Sequence, residues 1–154
     1  MDSDIRNAFW NALDDSPFVM MRLSEAGSHS QPMTVMLDRQ AHHTVWFFMH
    51  QSSTLAVEAQ AEVDFSSSGH KLFAALSGHL HREQDRTVLD RLWSNKVEAW
   101  FPGGKTDPTL ALMRFEITKA EVWTADITLA GLFDLFTGIA IKPDQAGKHA
   151  VGLL

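Results

Sequence analysis

Residues 44–57 read Thr44-Val45-Trp46-Phe47-Phe48-Met49-His50-Gln51-Ser52-Ser53-Thr54-Leu55-Ala56-Val57. Thr44 to Met49 is a β-branched and aromatic run that is apolar on both faces: Val45, Phe47 and Met49 fall on one side of a strand, Trp46 and Phe48 on the other. Such a strand is buried from two sides and needs structure above and below it. Gln51 to Thr54 then place side-chain oxygens where a helix from Thr54 to about Gln60 would begin. The free N–H groups of a helix start favour an anion, so a phosphate seat is one reading. Ordinary capping is the other, and residue type alone does not separate them.

Upstream, Ile5, Phe9 and Leu13 recur at helical spacing behind Asp2 and Asp4, and Pro17 ends the run, which predicts an amphipathic helix over residues 3–14. Phe18 to Leu23 and Met33 to Asp38 read as a hairpin across the turn composition Ser24-Glu25-Ala26-Gly27-Ser28. Pro32, at the entry of the second strand, lacks a ladder donor and suits that place.

Downstream, Ala61, Val63 and Phe65 alternate with Glu62, Asp64 and Ser66, and Ser66-Ser67-Ser68-Gly69 turns the chain. A longer strand follows to Arg82, with Leu72, Leu76 and Leu80 on one face and Lys71, Ser77, His79 and His81 on the other. Gly78 permits a bend in it. Residues 84–101 switch to a helical period through Val88, Leu89, Leu92 and Trp93, pause at Ser94-Asn95, and end at Pro102-Gly103-Gly104. Residues 112–124 return to strand character. Phe115 and Ile117 keep one register and Ala120 and Val122 the other, so a bulge near Thr118-Lys119 is needed to hold all four inside, and Trp123 then faces away from the core. Leu129, Leu132, Phe133 and Phe136 make a helical face over residues 128–137, and the tail from Lys142 has little core-forming content.

About six strands joined by short turns, with one helical insertion, predict a mainly β fold with peripheral helices. The expected form is an antiparallel sheet closing into a small barrel within a single domain over residues 1–154. The composition agrees: 154 residues, 45% hydrophobic and 21% charged, are enough for one sizeable core. A net charge of -6 without a basic run argues against nucleic acid or an anionic membrane surface as partner. The chain has no cysteine, hence no disulfide, thiolate metal site or thiol nucleophile. Its acidic amino terminus is unlike a signal peptide and no apolar run would span a bilayer, so the expected location is the cytoplasm.

Ser16-Pro17-Phe18-Val19-Met20, Pro32-Met33-Thr34, Val45-Trp46-Phe47-Phe48, Gly69-His70-Lys71-Leu72-Phe73-Ala74 and Arg91-Leu92-Trp93 occur here in that order. Ala99-Trp100-Phe101-Pro102-Gly103-Gly104-Lys105 with Asp107-Pro108 follows them. In order and spacing these pieces resemble the general stress protein branch of the pyridoxamine 5'-phosphate oxidase-like, FMN-binding split β-barrel family. The resemblance implies a homodimer with two FMN sites shared between subunits. It also implies that Gln31, Pro32, Met33 and Thr34, the strand end Phe47, Phe48 and Met49, and the turn residues Ser53 and Thr54 line one side of the flavin. Trp123 matches a tryptophan that closes the ring side in related oxidases. Two departures stand out: many relatives carry Arg at the place of Gln31 and Lys at the place of Leu55, where both charges would face the phosphate. The likeness therefore implies weak FMN binding that Gln31→Arg and Leu55→Lys would strengthen, with Lys71, Arg82 and Lys105 as candidate replacements for the missing charge.

Other readings compete at three places. His79 and His81 share a strand face and could chelate a metal with His70 or His149, but no carboxylate stands at a recognisable spacing and a solvated face accounts for them. Ser66-Ser67-Ser68 lacks the glycines of a nucleophile elbow and reads as a turn. Trp93, Trp100 and Phe101 could stack on a flavin or belong to a core. The function expected is a flavin-dependent redox protein. The alternatives are a carrier of flavin or a related ligand without turnover, and a dimeric interaction module with a decayed site.

Overall fold

The computed structural model describes residues 1–124 and 149–154. Helix α1 (Ser3–Asp15) begins where the Asp2 carboxylate accepts from the Asp4 and Ile5 N–H groups, and it buries Ile5, Phe9 and Leu13. Strands β1 (Phe18–Leu23) and β2 (Gln31–Thr34) make the expected hairpin, with Met20 opposite Pro32. β2 starts two residues earlier and stops sooner than the Met33 to Asp38 reading. Past Thr34 the chain leaves β1 and exchanges hydrogen bonds with a different strand, Met36 pairing with Trp46 in a single antiparallel bridge.

Strands β3 (Thr44–His50), β4 (Ala59–Ser66), β5 (Leu72–Arg82), β6 (Leu110–Thr124) and β7 (His149–Gly152) complete one antiparallel sheet. Its order is β2-β1-β4-β5-β6-β3, with β7 added on β6. The sheet curls until its outermost strands, β2 and β3, meet at the Met36–Trp46 bridge without a continuing ladder, so the barrel is split and not closed. β6 is long because it serves two neighbours on one edge: residues Leu110–Glu116 pair with β3 and Ala120–Trp123 with β7, while β5 runs along its other edge. The bulge falls as expected. Ser77 faces Lys119 and Gly78 faces Ile117, leaving Thr118 as the extra residue, and Phe115, Ile117, Ala120 and Val122 are all buried. Gly78 is required at this crossing, because a Cβ would run into the Glu116 carbonyl and the Phe115 ring.

β3 is covered on both faces, as its sequence requires. Val45, Phe47 and Met49 lie in the barrel core with Met21, Val63, Leu80 and Phe115. Trp46 and Phe48 lie in a second cluster beneath α2 (Arg86–Leu92) and α3 (Asn95–Trp100), with Val88, Leu89, Leu92 and Val97. The Trp46 indole N–H donates to Glu83 at 3.0 Å, which satisfies its polar tip. Trp93 and Phe101 pack into this second cluster, while Trp100 is exposed.

Two expectations fail. Residues 51–58 form turns instead of a helix from Thr54. They must carry the chain from β3 to β4, which are not neighbours in the sheet, and a helix advancing about 1.5 Å per residue would cover little of that path. The turns also drive Leu55 and Ala56 into the barrel core, which a solvent-facing helix cap would not do. The tail, in turn, contributes more than its composition suggested: β7 docks on the free edge of β6 and Leu154 is buried in the core. The helix expected over residues 128–137 lies outside the described residues. Among the described residues no helix is long and apolar enough to cross a membrane.

Candidate functional site

The split between β2 and β3 is pinned at both ends. At one end the Met36 and Trp46 N–H groups each donate to the other's carbonyl, at 2.7 and 3.0 Å. At the other end Gln31 Nε2 donates to Thr54 Oγ1 at 2.9 Å. Between the pins, Pro32, Met33 and Thr34 border one side and Phe47, Phe48 and Met49 the other, with no ladder joining them. Backbone groups on such an unlatched edge need partners, and a heterocycle with ring nitrogens and carbonyls can supply them. Phe47 and Met49 point into the barrel core and Phe48 lies under α2 and α3, so β3 offers this seam its backbone and not its aromatic side chains.

The loop at the Gln31 end differs from the phosphate seat read from the sequence. No helix starts there, and most of its N–H groups are already committed. Gln51 N–H donates to the Thr109 carbonyl at 2.7 Å, Ser53 N–H to His50 at 2.9 Å, Leu55 N–H to Ser53 Oγ at 3.2 Å, and Ala56 N–H to the Ser53 carbonyl at 3.0 Å. Leu55 is 0% exposed, so a lysine there would enter the core and would not face an anion. The hydroxyls of Ser53 and Thr54 remain at the surface of the loop, and Arg82 reaches it from the end of β5. Arg82 Nη1 donates to Gln51 Oε1 at 2.8 Å and Nη2 to the Ala56 carbonyl at 3.3 Å.

Trp123 does not join the seam within one chain. It lies ten residues along β6 from Met113, the partner of Phe47, a separation on the order of 30 Å for an extended strand. It faces outward as expected, stacked on the His149 ring at 5.2 Å and 12°, and His149 Nε2 lies 2.7 Å from Glu121 Oε1. The outer faces of the aromatic strand Thr44–Met49 are not the uncovered apolar surface either, because α2 and α3 occupy them. Exposed large apolar side chains instead include Phe18, Met20, Phe73 and Trp123, and the first three line a hollow of about 380 Å³ between β1, β2, β4 and β5.

The histidine face of β5 is held by acids. His81 Nδ1 is 2.8 Å from Glu58 Oε2, its Nε2 is 3.4 Å from Glu116 Oε2, and its ring stacks on His79 at 5.0 Å. Among the described residues no group of three or more His, Asp or Glu side chains is arranged to hold a metal. Glu58 also accepts the Arg82 backbone N–H at 2.8 Å, which more than any other contact holds its carboxyl below the usual range. Sequence reasoning did not foresee this clasp between the loop and the end of β5, because Glu58 and Arg82 are 24 residues apart and meet only through the antiparallel pairing of β4 with β5, which spacing does not reveal. A cleft of about 390 Å³ lies away from the seam, between α2 and the Gly104–Thr106 turn. Its acids are engaged: Glu83 by Trp46 and Arg114, Asp85 by Thr87, and Asp107 by Thr109.

The strand order and the split define an antiparallel split barrel. The chain belongs to the pyridoxamine 5'-phosphate oxidase-like family, whose model matches residues 4–142. Solved structures similar to it include three of general stress proteins. A general stress family protein of Xanthomonas campestris pv. campestris is 36% identical over 84% of this chain and 93% of its own, with a TM-score of 0.77. The general stress FMN/FAD binding protein of Xanthomonas citri is 35% identical over 83% and 94%, with a TM-score of 0.76. A general stress protein 26 of Jannaschia sp. CCS1 is 28% identical over 99% of both chains, with a TM-score of 0.77. Comparison with curated proteins finds no match.

Proposed function

We propose that this chain is an FMN-binding redox protein of the general stress type, acting as a homodimer in which the seam of one subunit and Trp123 of the other enclose each flavin. The observation that carries the reading is the seam itself. It is an unlatched gap between β2 and β3, fixed at both ends, whose Gln31 end carries the Ser53 and Thr54 hydroxyls and a guanidinium. That donor set fits a flavin with a phosphate tail. The 35% identical protein of Xanthomonas citri, described as binding FMN or FAD, supports the same ligand. The distance of Trp123 from its own seam and the exposed Phe18, Met20, Phe73 and Trp123 support a second subunit.

FMN, when bound, supplies hydride or electron transfer at its ring. The chain's part is to orient and to exclude water. Gln31 to Thr34 and Phe47 to Met49 include no titratable side chain, so these strands offer the ring neither a general acid nor a base. That favours simple flavin redox chemistry over oxidation of pyridoxamine phosphate. The test is to reconstitute purified protein with FMN, remove free flavin, record the visible spectrum and add NAD(P)H. Retained flavin absorbance that bleaches is the expected result. Retained flavin without bleaching by NAD(P)H or other donors would assign a carrier, and failure to retain flavin would overturn the reading.

A further inference from the structure

We infer that Arg82 is the cation that binds the flavin phosphate in this chain, and that it makes the seam select phosphorylated flavin over riboflavin. The inference rests on the flavin reading above and concerns the residue that gives it specificity. Gln31 is neutral, and Leu55 is buried, so neither place supplies charge. Three cations were candidates to replace it, and the fold separates them. Lys105 Nζ is 3.0 Å from Asp90 Oδ1 on α2. Lys71 precedes β5, at the opposite end of that strand from Arg82. Arg82 reaches the loop.

Its position follows from strand periodicity. Leu72, Ala74, Leu76 and Leu80 are buried at alternate places along β5, so Arg82 falls on the same inward face, at the mouth of the barrel. There the guanidinium straddles the loop, bonded to Gln51 Oε1 at 2.8 Å and the Ala56 carbonyl at 3.3 Å. The Gln51 amide is itself fixed, because its Nε2 donates to the Leu110 carbonyl at 3.0 Å. Both partners of the guanidinium are neutral. Among the described residues no carboxylate pairs with it: Glu58, close by, takes the Arg82 backbone N–H and the His81 ring instead. A guanidinium has five N–H donors in a planar fork, and two neutral acceptors leave donors for an oxyanion.

The neighbouring hydroxyls are set up the same way. Ser53 Oγ accepts from the Leu55 N–H and Thr54 Oγ1 accepts from Gln31 Nε2, so each hydroxyl has its acceptor side engaged and its own proton available to donate. A guanidinium with no carboxylate partner among the described residues, bonded to the same loop that carries two donor hydroxyls, supplies the donor set of a phosphate site. The backbone N–H groups of Ser53, Leu55 and Ala56 are spent within the loop, so the charge has to come from a side chain.

The test is fluorescence titration of FMN and riboflavin into the native protein, Arg82→Gln, Arg82→Lys and Gln51→Glu, with melting curves for each. Gln51→Glu keeps the side-chain size and gives Arg82 a counterion, so it tests the charge even where Arg82→Gln loosens the loop. The expected result is an FMN-to-riboflavin preference that falls ~10- to 100-fold in Arg82→Gln and in Gln51→Glu, partly recovers in Arg82→Lys, and reflects loss of FMN alone. An unchanged preference in both neutralised variants, with native FMN binding intact, would overturn the role of Arg82 and leave the seam reading standing. Equal loss of both flavins would make Arg82 a prop for the loop and overturn the role too. A native protein that binds neither flavin would overturn the seam reading and this inference with it.

Discussion

The Gln31 amide, at the start of β2, and the Thr54 hydroxyl, in the loop after β3, meet at 2.9 Å across the split in the barrel and hold its open end together. Because this contact is exposed, water can replace either partner, and Thr54→Val should cost at most about 1 kcal/mol of stability. Its effect on binding should be larger for FMN than for riboflavin, since in the proposed site the lost hydroxyl faces the phosphate. Parallel titrations check this. An equal fall for both flavins would put the ring, and not the phosphate, beside the loop.

Leu55→Lys, the substitution that the family likeness favoured, should here harm the protein. The side chain is fully buried among apolar neighbours, and an unpaired ammonium there should cost about 3 kcal/mol or more. Denaturant unfolding measures the loss. A variant as stable as the native protein that also gains FMN affinity would mean that the loop turns inside out in solution.

Gly78→Ala tests the bulged crossing of β5 and β6. The added methyl group meets the Glu116 carbonyl and the Phe115 ring, so the two strands must separate or the bulge must shift, at about 1–3 kcal/mol. Thermal melting and hydrogen exchange of β5 amides would register it. An unchanged melting temperature would show that the sheet absorbs the methyl group.

Much of this architecture could be read from residue order, and the reasons differ by element. Alternation marked β4 and β5, a short apolar run ahead of turn residues marked β1, the two-faced run marked β3, and conflicting registers on either side of Thr118 required the bulge. Each signal is local and periodic. Residues 51–58 were misread because Ser and Thr before an apolar pair look the same whether they cap a helix or turn a loop; what decides is that Leu55 meets the barrel core, a long-range contact. β7 was missed because four residues docking on an existing edge need no strong pattern of their own. At the site, the strand residues and hydroxyls named from the likeness lie along the split, whereas the distance of Trp123 from them depends on the length of β6.

Acid should unfold this protein through identifiable carboxylates. The Thr109 hydroxyl and N–H, at 2.7 and 2.9 Å, hold the Asp107 carboxyl below its ordinary range, with the Gly103 N–H adding to them. Thr87 does the same for Asp85, and the Arg82 N–H for Glu58. A carboxyl with a depressed folded pKa adds stability that is present above its unfolded pKa and is lost as pH falls through the folded value. Melting temperature should therefore hold through neutral pH and fall below the ordinary carboxylate range of about 4. Asp107→Asn should blunt that fall. Superimposable acid profiles of variant and native protein would exclude Asp107 as a contributor.

A shared site predicts complementation between two defective chains. In the proposed site Trp123→Ala would remove the closing ring and Thr54→Glu would repel the phosphate, so each alone should bind FMN poorly. Co-expressed chains assorting at random would place an intact seam against an intact Trp123 in roughly one site of four. Flavin content per dimer, with sedimentation to establish the dimer, measures this. No recovery in mixed dimers would mean that Trp123 does not serve the partner's seam.

The pairing of β3 with β6 sets a timetable for synthesis. Thr44 to His50 finds its ladder partners at Leu110 to Glu116, 60 to 72 residues later in the chain. At about 5–20 residues per second, the ribosome leaves the most aromatic strand of the protein without its sheet neighbour for several seconds. During that interval Val45-Trp46-Phe47-Phe48-Met49 is an uncovered, uncharged segment of high β-propensity, the kind that holdase chaperones bind and that seeds aggregation when they do not. Soluble yield should thus depend more on translation speed and chaperone supply than on the stability of the finished barrel.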